Sequence, residues 1–277
     1  MDNEKNGILY IVATPIGNLS DITIRALDTL KEVDVIAAED TRHTLKLLNH
    51  FNISKPLVSY HRHNEEIRKD ALIKKLKDGE NIALVSDAGT PGISDPGEEI
   101  IKECIKENIK IVPIPGACAA INALICSGIN TKEFLFLGFL PLNKKNRKEK
   151  LEEISKIDKT VILYESPYKI KHTIEDLKLI LGDRKLVIAR EITKIHEEFI
   201  REDIEFLSEN IEKIKGEIVI VIEGKEKKEE INEELSEEEL YTKYKNQGLN
   251  KKEIIKKIAK EKKVEKNKIY KKFINEI

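Results

Sequence analysis

The chain has 277 residues, 40% of them apolar and 36% charged. That length fits two domains plus an appendage, with enough apolar material for a real core. A net charge of −1 excludes inferring a polyanionic partner from overall charge and leaves only local asymmetry to read.

Residues 8–13, ILYIVA, form a β-branched apolar run that predicts a buried strand. Thr14 to Asn18 break it, and Asp21 is placed to cap a helix whose apolar face is Ile24, Leu27, Leu30 and Val33. Strands follow at 35–38 and 57–60, a helix at 65–78, a strand at 81–86, a helix at 97–107 and a strand at 109–114. This alternation predicts helices packed on a mostly parallel sheet. Pro115-Gly116 then opens a small-residue helix, 117–127, closed by Gly128. The second half reads as strand 134–138, a basic loop from Asn143 to Lys150, helix 149–156, strand 160–164, helix 167–181, and strands 185–190 and 217–222. The fold class is therefore α/β: a domain over 1–115 and another over 116–225, with a cleft between them.

From 226 the composition changes. Residues 226–239 are rich in glutamate, whereas 240–277 hold thirteen lysines against four glutamates, a local charge of +9. Helical patterns at 237–247, 250–261 and 265–276, broken at Gly248 and capped by Asn250, predict a helix-turn-helix-like appendage. Its mini-core is Leu240, Tyr244, Ile254, Ile258, Ile269, Tyr270 and Phe273. Cys104, Cys118 and Cys126 have a spacing that fits no zinc pattern and read as buried thiols in a reducing compartment. The polar first residues and the lack of a membrane-length apolar run predict a soluble cytoplasmic protein.

The most informative stretch is Ser86 to Gly97, SDAGTPGISDPG, where a strand ends in a turn built on Gly89, Gly92 and Gly97. Glycines there permit positive φ and close ligand approach, and the crevice beyond strand carboxyl ends is where α/β sheets bind ligands. A tight turn with no ligand also accounts for the loop. It is neither G-x-G-x-x-G nor a P-loop, which disfavours an ordinary nicotinamide or nucleoside-triphosphate site. His61 and His63 alternate and would share one face of a strand, but no third residue has convincing metal-ligand spacing, so no metal is expected. Glu39-Asp40-Thr41-Arg42 reads either as a solvated turn with an internal ion pair or as part of a site. In Tyr164-Glu165-Ser166-Pro167, a cap at Ser166 and Pro167 at the first helical position leave Glu165 free to face the cleft.

VATPIGNLSDIT, AAEDTR, SYHRHNE, VSDAGTPGISDPG, IPGACAA, GFLP, YESP and AREITK occur in this order over residues 12–194. Together they resemble the ribosomal-RNA cytidine 2′-O-methyltransferases of the tetrapyrrole methylase superfamily, a likeness that covers about residues 8–224. The resemblance implies two α/β domains with S-adenosylmethionine in the cleft between them, a homodimer, and small-subunit ribosomal RNA or the assembled small subunit as substrate, with neither DNA nor membrane. It places the cofactor against Pro15, Asp87, Ala88, Gly89, Gly92, Gly116, Ala117 and Cys118, with Leu137, Tyr164, Ala189 and Arg190 lining the rest. A related methylase acting on a tetrapyrrole or a modified histidine, or an RNA-binding assembly factor without catalysis, are the competing readings. A ribose hydroxyl needs help to lose its proton. Charged clusters at strand ends make Glu165, then Lys194, the candidate bases, and Arg42 and Arg190 the candidate RNA-positioning groups, against the alternative that these residues merely pair across the domain seam.

Overall fold

The computed structural model describes residues 6–210, 214–226 and 235–274. Residues 1–225 and 226–277 are two compact units.

The first unit is built on two sheets. In the first, β1 (Ile8–Val12), β2 (Val35–Ala38), β3 (Leu57–Ser59), β4 (Ile82–Val85) and β5 (Lys110–Ile114) run parallel in the order β3-β2-β4-β1-β5. α1 (Ile24–Glu32), α2 (Thr41–His50), α3 (Glu65–Lys77) and α4 (Glu98–Lys106) connect them. Alternate strand residues face opposite sides. Leu9, Val35, Ala37 and Leu84 pack with Leu72 and Leu76 of α3 and Ile100 of α4, whereas Val12, Ile36, Ala38 and Val85 pack with Leu30 of α1 and Leu48 of α2. The connection from β1 leads toward β2 and that from β4 leads toward β5, in opposite directions. The crevice between their carboxyl ends is thus the sheet's topological switch point, where ligands bind in such folds. Thr14 and Gly89 span it with two backbone hydrogen bonds of 2.8 and 3.1 Å.

Several local expectations change. Thr23, not Asp21, caps α1 by accepting from the Ala26 amide, and Ile24 is 79% exposed. The Glu39–Arg42 stretch leads into α2, capped by Asp40. His61 and His63 sit in the turn after β3, not on a strand. Of the cysteines only Cys104 is buried; Cys118 is half-buried and Cys126 exposed.

α5 (Ala119–Ser127), ended by left-handed Gly128, leads to the second sheet. Its strands are β6 (Phe134–Phe139), β7 (Thr160–Glu165), β8 (Leu186–Arg190), β9 (Glu198–Ile200) and β10 (Ile218–Ile222), in the order β6-β7-β10-β8-β9. Here only β6 and β7 are parallel and the other pairs are antiparallel, unlike the first sheet. β10 is buried along its whole length because α5 covers one face and α6 (Lys144–Ile154), α7 (Ile170–Leu181) and α8 (Ile204–Asn210) cover the other. Asn143 caps α6 through the Lys145 and Asn146 amides, so the supposed basic loop is a helix. α7 begins at Ile170 after a turn, so Ser166 and Pro167 are not its cap and first residue.

The second unit comprises α9 (Glu237–Asn246), α10 (Lys251–Glu261) and α11 (Lys266–Lys272). Ser236 with Glu239 and Asn250 with Glu253 form capping boxes. Leu240, Ile254, Ile258, Ile269 and Phe273 are buried as expected; Tyr241 joins them, stacked on Phe273 at 4.5 Å, whereas Tyr270 is exposed. Much of the glutamate-rich stretch, residues 227–234, lies outside the described residues. No described helix is long and apolar enough to cross a membrane.

Candidate active site

A cavity of about 350 Å³ opens where the glycine-rich loop after β4 faces the carboxyl end of β7 and the start of β10. Ala88, Gly89, Thr90, Ile93, Ser94 and Asp95 of that loop form one wall. Gly89 has φ +79° and carries one half of the Thr14 bridge; an added Cβ would lie 3.3 Å from Ile16 Cγ2. The Thr90 hydroxyl donates to the Ala117 carbonyl at 3.1 Å, tying the loop to the segment that enters α5. Gly116 in that segment packs so closely on Ala13 that a Cβ would stand 2.8 Å from the alanine methyl. The guanidinium of Arg62, from the turn after β3, donates to the Ser94 carbonyl and braces the far end of the loop.

The opposite wall comes from the second sheet. Tyr164 and Phe139, paired across β7 and β6, meet edge to face at 5.7 Å. The Tyr164 hydroxyl oxygen accepts from the Ala120 amide at 3.3 Å, and burial pushes its pKa up to about 12, so it stays a neutral phenol. Cys118 and Ala119 close the space between the walls.

Three carboxylates line the cavity: Asp95, Glu165 and Glu217. No lysine, arginine or histidine lines it among the described residues. Burial, reinforced by the nearby Glu39 carboxylate, pushes Asp95 up to about 6. Glu39 is itself raised, by burial, against the opposing Asp87 amide. Glu165 is only 6% exposed and is held by the Ser166 amide at 2.7 Å and the Thr173 hydroxyl at 2.6 Å.

The sequence-derived residues divide accordingly. Ala88, Gly89, Cys118, Tyr164 and Glu165 line this cavity. Pro15 and Asp87 line a neighbouring one of about 260 Å³, and Asp87 accepts from the Asp40 amide at 3.0 Å. Gly116 and Ala117 shape the wall as described, whereas Gly92 does not border the cavity. Leu137 packs into the core beside α6 and α7, and Ala189 is fully buried. Arg190 donates to Glu198 at 2.6 Å, and Arg42, its side chain 87% exposed, pairs with its own helix cap Asp40 at 2.7 Å. Arg42 thus shows the internal ion pair that was the alternative reading of its stretch, whereas Arg190 pairs within the second sheet and neither arginine pairs across the domain seam. Lys194 bridges Glu191 at 3.0 Å and Glu217 at 3.2 Å. Burial works to lower its pKa, but the two carboxylates outweigh it and the net shift is upward. Lys194 is therefore a fixed cation rather than a proton acceptor.

Sequence reasoning passed over Asp95, although it lies in the quoted loop, and Ile16, which sits in the first motif. Ile192 sits in the last quoted motif, whereas Glu217 and Val219 carried no signal. His61 and His63, with ring centroids 6.0 Å apart, lack the shared strand face expected of them. No group of three or more metal-ligating side chains gathers among the described residues.

Known proteins share this arrangement. A family model described as Tetrapyrrole (Corrin/Porphyrin) Methylases matches residues 8–208. A protein of Halalkalibacterium halodurans named ribosomal RNA small subunit methyltransferase I is 50% identical over 273 residues, spanning 96% of this chain and 94% of its own. Among solved structures, a diphthine synthase superposes with a TM-score of 0.60 at 18% identity, covering 78% of this chain and 90% of that one. A uroporphyrin-III C-methyltransferase of Thermus thermophilus, solved with S-adenyl homocysteine, superposes at 0.55 with 16% identity, covering 78% and 97%. With the family model matched across the first sheet and all of the second but β10, and half of the aligned positions shared with a relative spanned over 94% of its length, the chain belongs to the tetrapyrrole methylase family.

Proposed function

We propose that this chain is a cytoplasmic, homodimeric methyltransferase that uses S-adenosylmethionine to methylate the ribose 2′-oxygen of a cytidine in small-subunit ribosomal RNA. The observation that carries the choice of donor is the charge of the cavity. Asp95 and Glu165, in a lining without a basic side chain, favour a cationic ligand and oppose a phosphorylated nucleotide, whereas the charge of Glu217 is offset by Lys194. The volume lies in the range of small-molecule sites, and the apolar walls of Ile16, Ile93, Phe139 and Val219 suit a nucleoside. When bound, S-adenosylmethionine supplies an electrophilic methyl group on a positively charged sulfur. The name of the 50% identical relative supports small-subunit ribosomal RNA as acceptor, and the motif resemblance supports the cytidine 2′-oxygen.

In this reading Asp95 holds the cationic end of the donor, and the backbone at Gly89 allows its close approach. Glu165 takes the proton from the ribose hydroxyl. Its two donors fix its direction while leaving lone pairs for a further hydrogen bond. Lys194 ties Glu191 to Glu217 beside the cavity. The lysines of the appendage add phosphate contacts.

The test is transfer of tritium from labelled S-adenosylmethionine to small ribosomal subunits from a strain lacking this gene, followed by mass-spectrometric identification of the modified nucleotide. Label on a cytidine ribose is the expected result. Glu165→Gln should retain cofactor affinity while its single-turnover rate falls by about 10²–10⁴-fold, the usual worth of a general base. A near-normal rate removes Glu165 from that role.

A further inference from the structure

β6 and β7 are parallel neighbours with Phe139 opposite Tyr164, so the segments that follow them, 140–143 and 166–169, leave the same edge of the sheet. The helices they enter are joined by Arg147, whose Nε donates to Asp176 at 2.7 Å and whose Nη2 donates to the Thr173 hydroxyl at 2.9 Å. The two segments therefore form one lip, and Phe139 and Pro167 at its inner margin line the cavity. On its outer side the lip displays large apolar groups to solvent: Tyr168 is 96% exposed and Leu142 78%. A ring held out in solvent at the rim of a cavity contributes nothing to the core and stays accessible to a partner. Its surroundings are basic. Lys144, Lys145, Lys148 and Lys169 are all exposed, and Lys144 and Lys169 make no ion pair among the described residues.

We propose that this lip is a stacking platform for single-stranded RNA: Tyr168, backed by Leu142, receives an unstacked base next to the acceptor nucleotide, while Lys144 and Lys169 meet the flanking phosphates. The proposal rests on the ribosomal-RNA reading above and extends it to a named surface. Proteins recognise single-stranded RNA by splaying bases onto aromatic side chains among cations. An exposed ring next to Lys169, on a lip that also carries Lys144 beside a small-molecule cavity, meets that requirement. A second copy of the chain fits less well, because a two-fold contact centred here would bring the same lysines against each other.

The experiment compares Tyr168→Ala and Tyr168→Phe in the full-length protein. Three quantities are read: affinity for a fluorescent, unstructured RNA oligonucleotide by anisotropy, affinity for S-adenosylmethionine by calorimetry, and mass by sedimentation equilibrium. Tyr168→Ala should weaken RNA binding on the order of five- to a hundredfold, the range for loss of one base–aromatic stack. Tyr168→Phe should bind RNA like wild type, and cofactor affinity should stay the same in both. Joint replacement of Lys144 and Lys169 by Gln should lower the slope of log affinity against log salt by about 0.7 for each phosphate they neutralise. Unchanged RNA affinity in Tyr168→Ala overturns the proposal, as does an equal loss in Tyr168→Phe. A changed sedimentation mass in Tyr168→Ala with RNA affinity intact assigns the lip to self-association and overturns it too. Failure of the underlying reading looks different: the wild-type protein then transfers no label to ribosomal RNA, and the lip proposal falls with it.

Discussion

Asp95 is the residue whose chemistry lends itself most directly to measurement. With its pKa pushed up to about 6 by burial and by Glu39, it is ionised at pH 7.5 and loses its charge as pH falls through 6. A cationic donor favours the ionised form, so its affinity should decline between pH 7.5 and 5.5. Asp95→Asn should bind weakly at both values and show little pH dependence. Calorimetric titrations at the two pH values check this, and a wild-type affinity that does not change with pH would exclude Asp95 from contact with the cationic group. The prominence of Asp95 was hidden in the sequence. SDAGTPGISDPG offers two aspartates, and nothing in their spacing shows that Asp87 turns to the Asp40 amide while Asp95 turns into the cavity. The roles of Arg42, Arg190 and Lys194 were equally opaque, because each depends on a partner chosen by the fold: Asp40 for the first, Glu198 for the second, Glu191 and Glu217 for the third.

Among the elements, the glycine-rich loop separates two demands that look alike in a string of letters. Gly89 faces a ligand cavity, whereas a Cβ on Gly92, at φ +81°, would meet only an ordinary contact, Ile101 at 3.9 Å. The requirement at position 92 is therefore backbone conformation alone. Gly92→Val should lose about 1–2 kcal/mol in urea denaturation, since a β-branched residue resists positive φ, while Gly92→Asn should lose less because Asn tolerates that region. Equal losses would show that side-chain volume, not φ, governs the site. Elements with strong local periodicity were legible, the buried strands of the first sheet above all. α2 was missed because the charges of Glu39 to Arg42 drew attention to a turn, although Thr44, Leu47 and Leu48 carry a helical apolar face. β9 is three residues long, too short for any period to register. The antiparallel order of the second sheet is a matter of long-range pairing, and no local pattern encodes it.

The molecule as a whole divides its electrostatics between its two units. The catalytic unit concentrates carboxylates in its cavity, whereas residues 240–277 carry a local charge of +9. Because the second unit has its own core of Leu240, Ile254, Ile258 and Phe273, removing residues 235–277 should leave the first unit folded and its cofactor affinity intact. RNA binding by the truncated protein should be weaker, and its salt dependence shallower by about 0.7 for each phosphate that the appendage neutralises. A salt slope equal to that of the full chain would assign RNA binding to other surfaces.

The position of β10 has a consequence for how the enzyme comes into being. The last strand of the catalytic unit in sequence is the middle strand of its second sheet, pairing on one side with β7 and on the other with β8. It also supplies Ile218 and Val219 to the cavity. During synthesis, β7 and β8 therefore emerge with open edges and nothing between them, a state in which exposed strands invite wrong partners. The cavity lacks part of its wall in every nascent chain that ends before residue 218. Under the proposed function, competence to bind the methyl donor therefore waits for the one strand that joins β7 to β8.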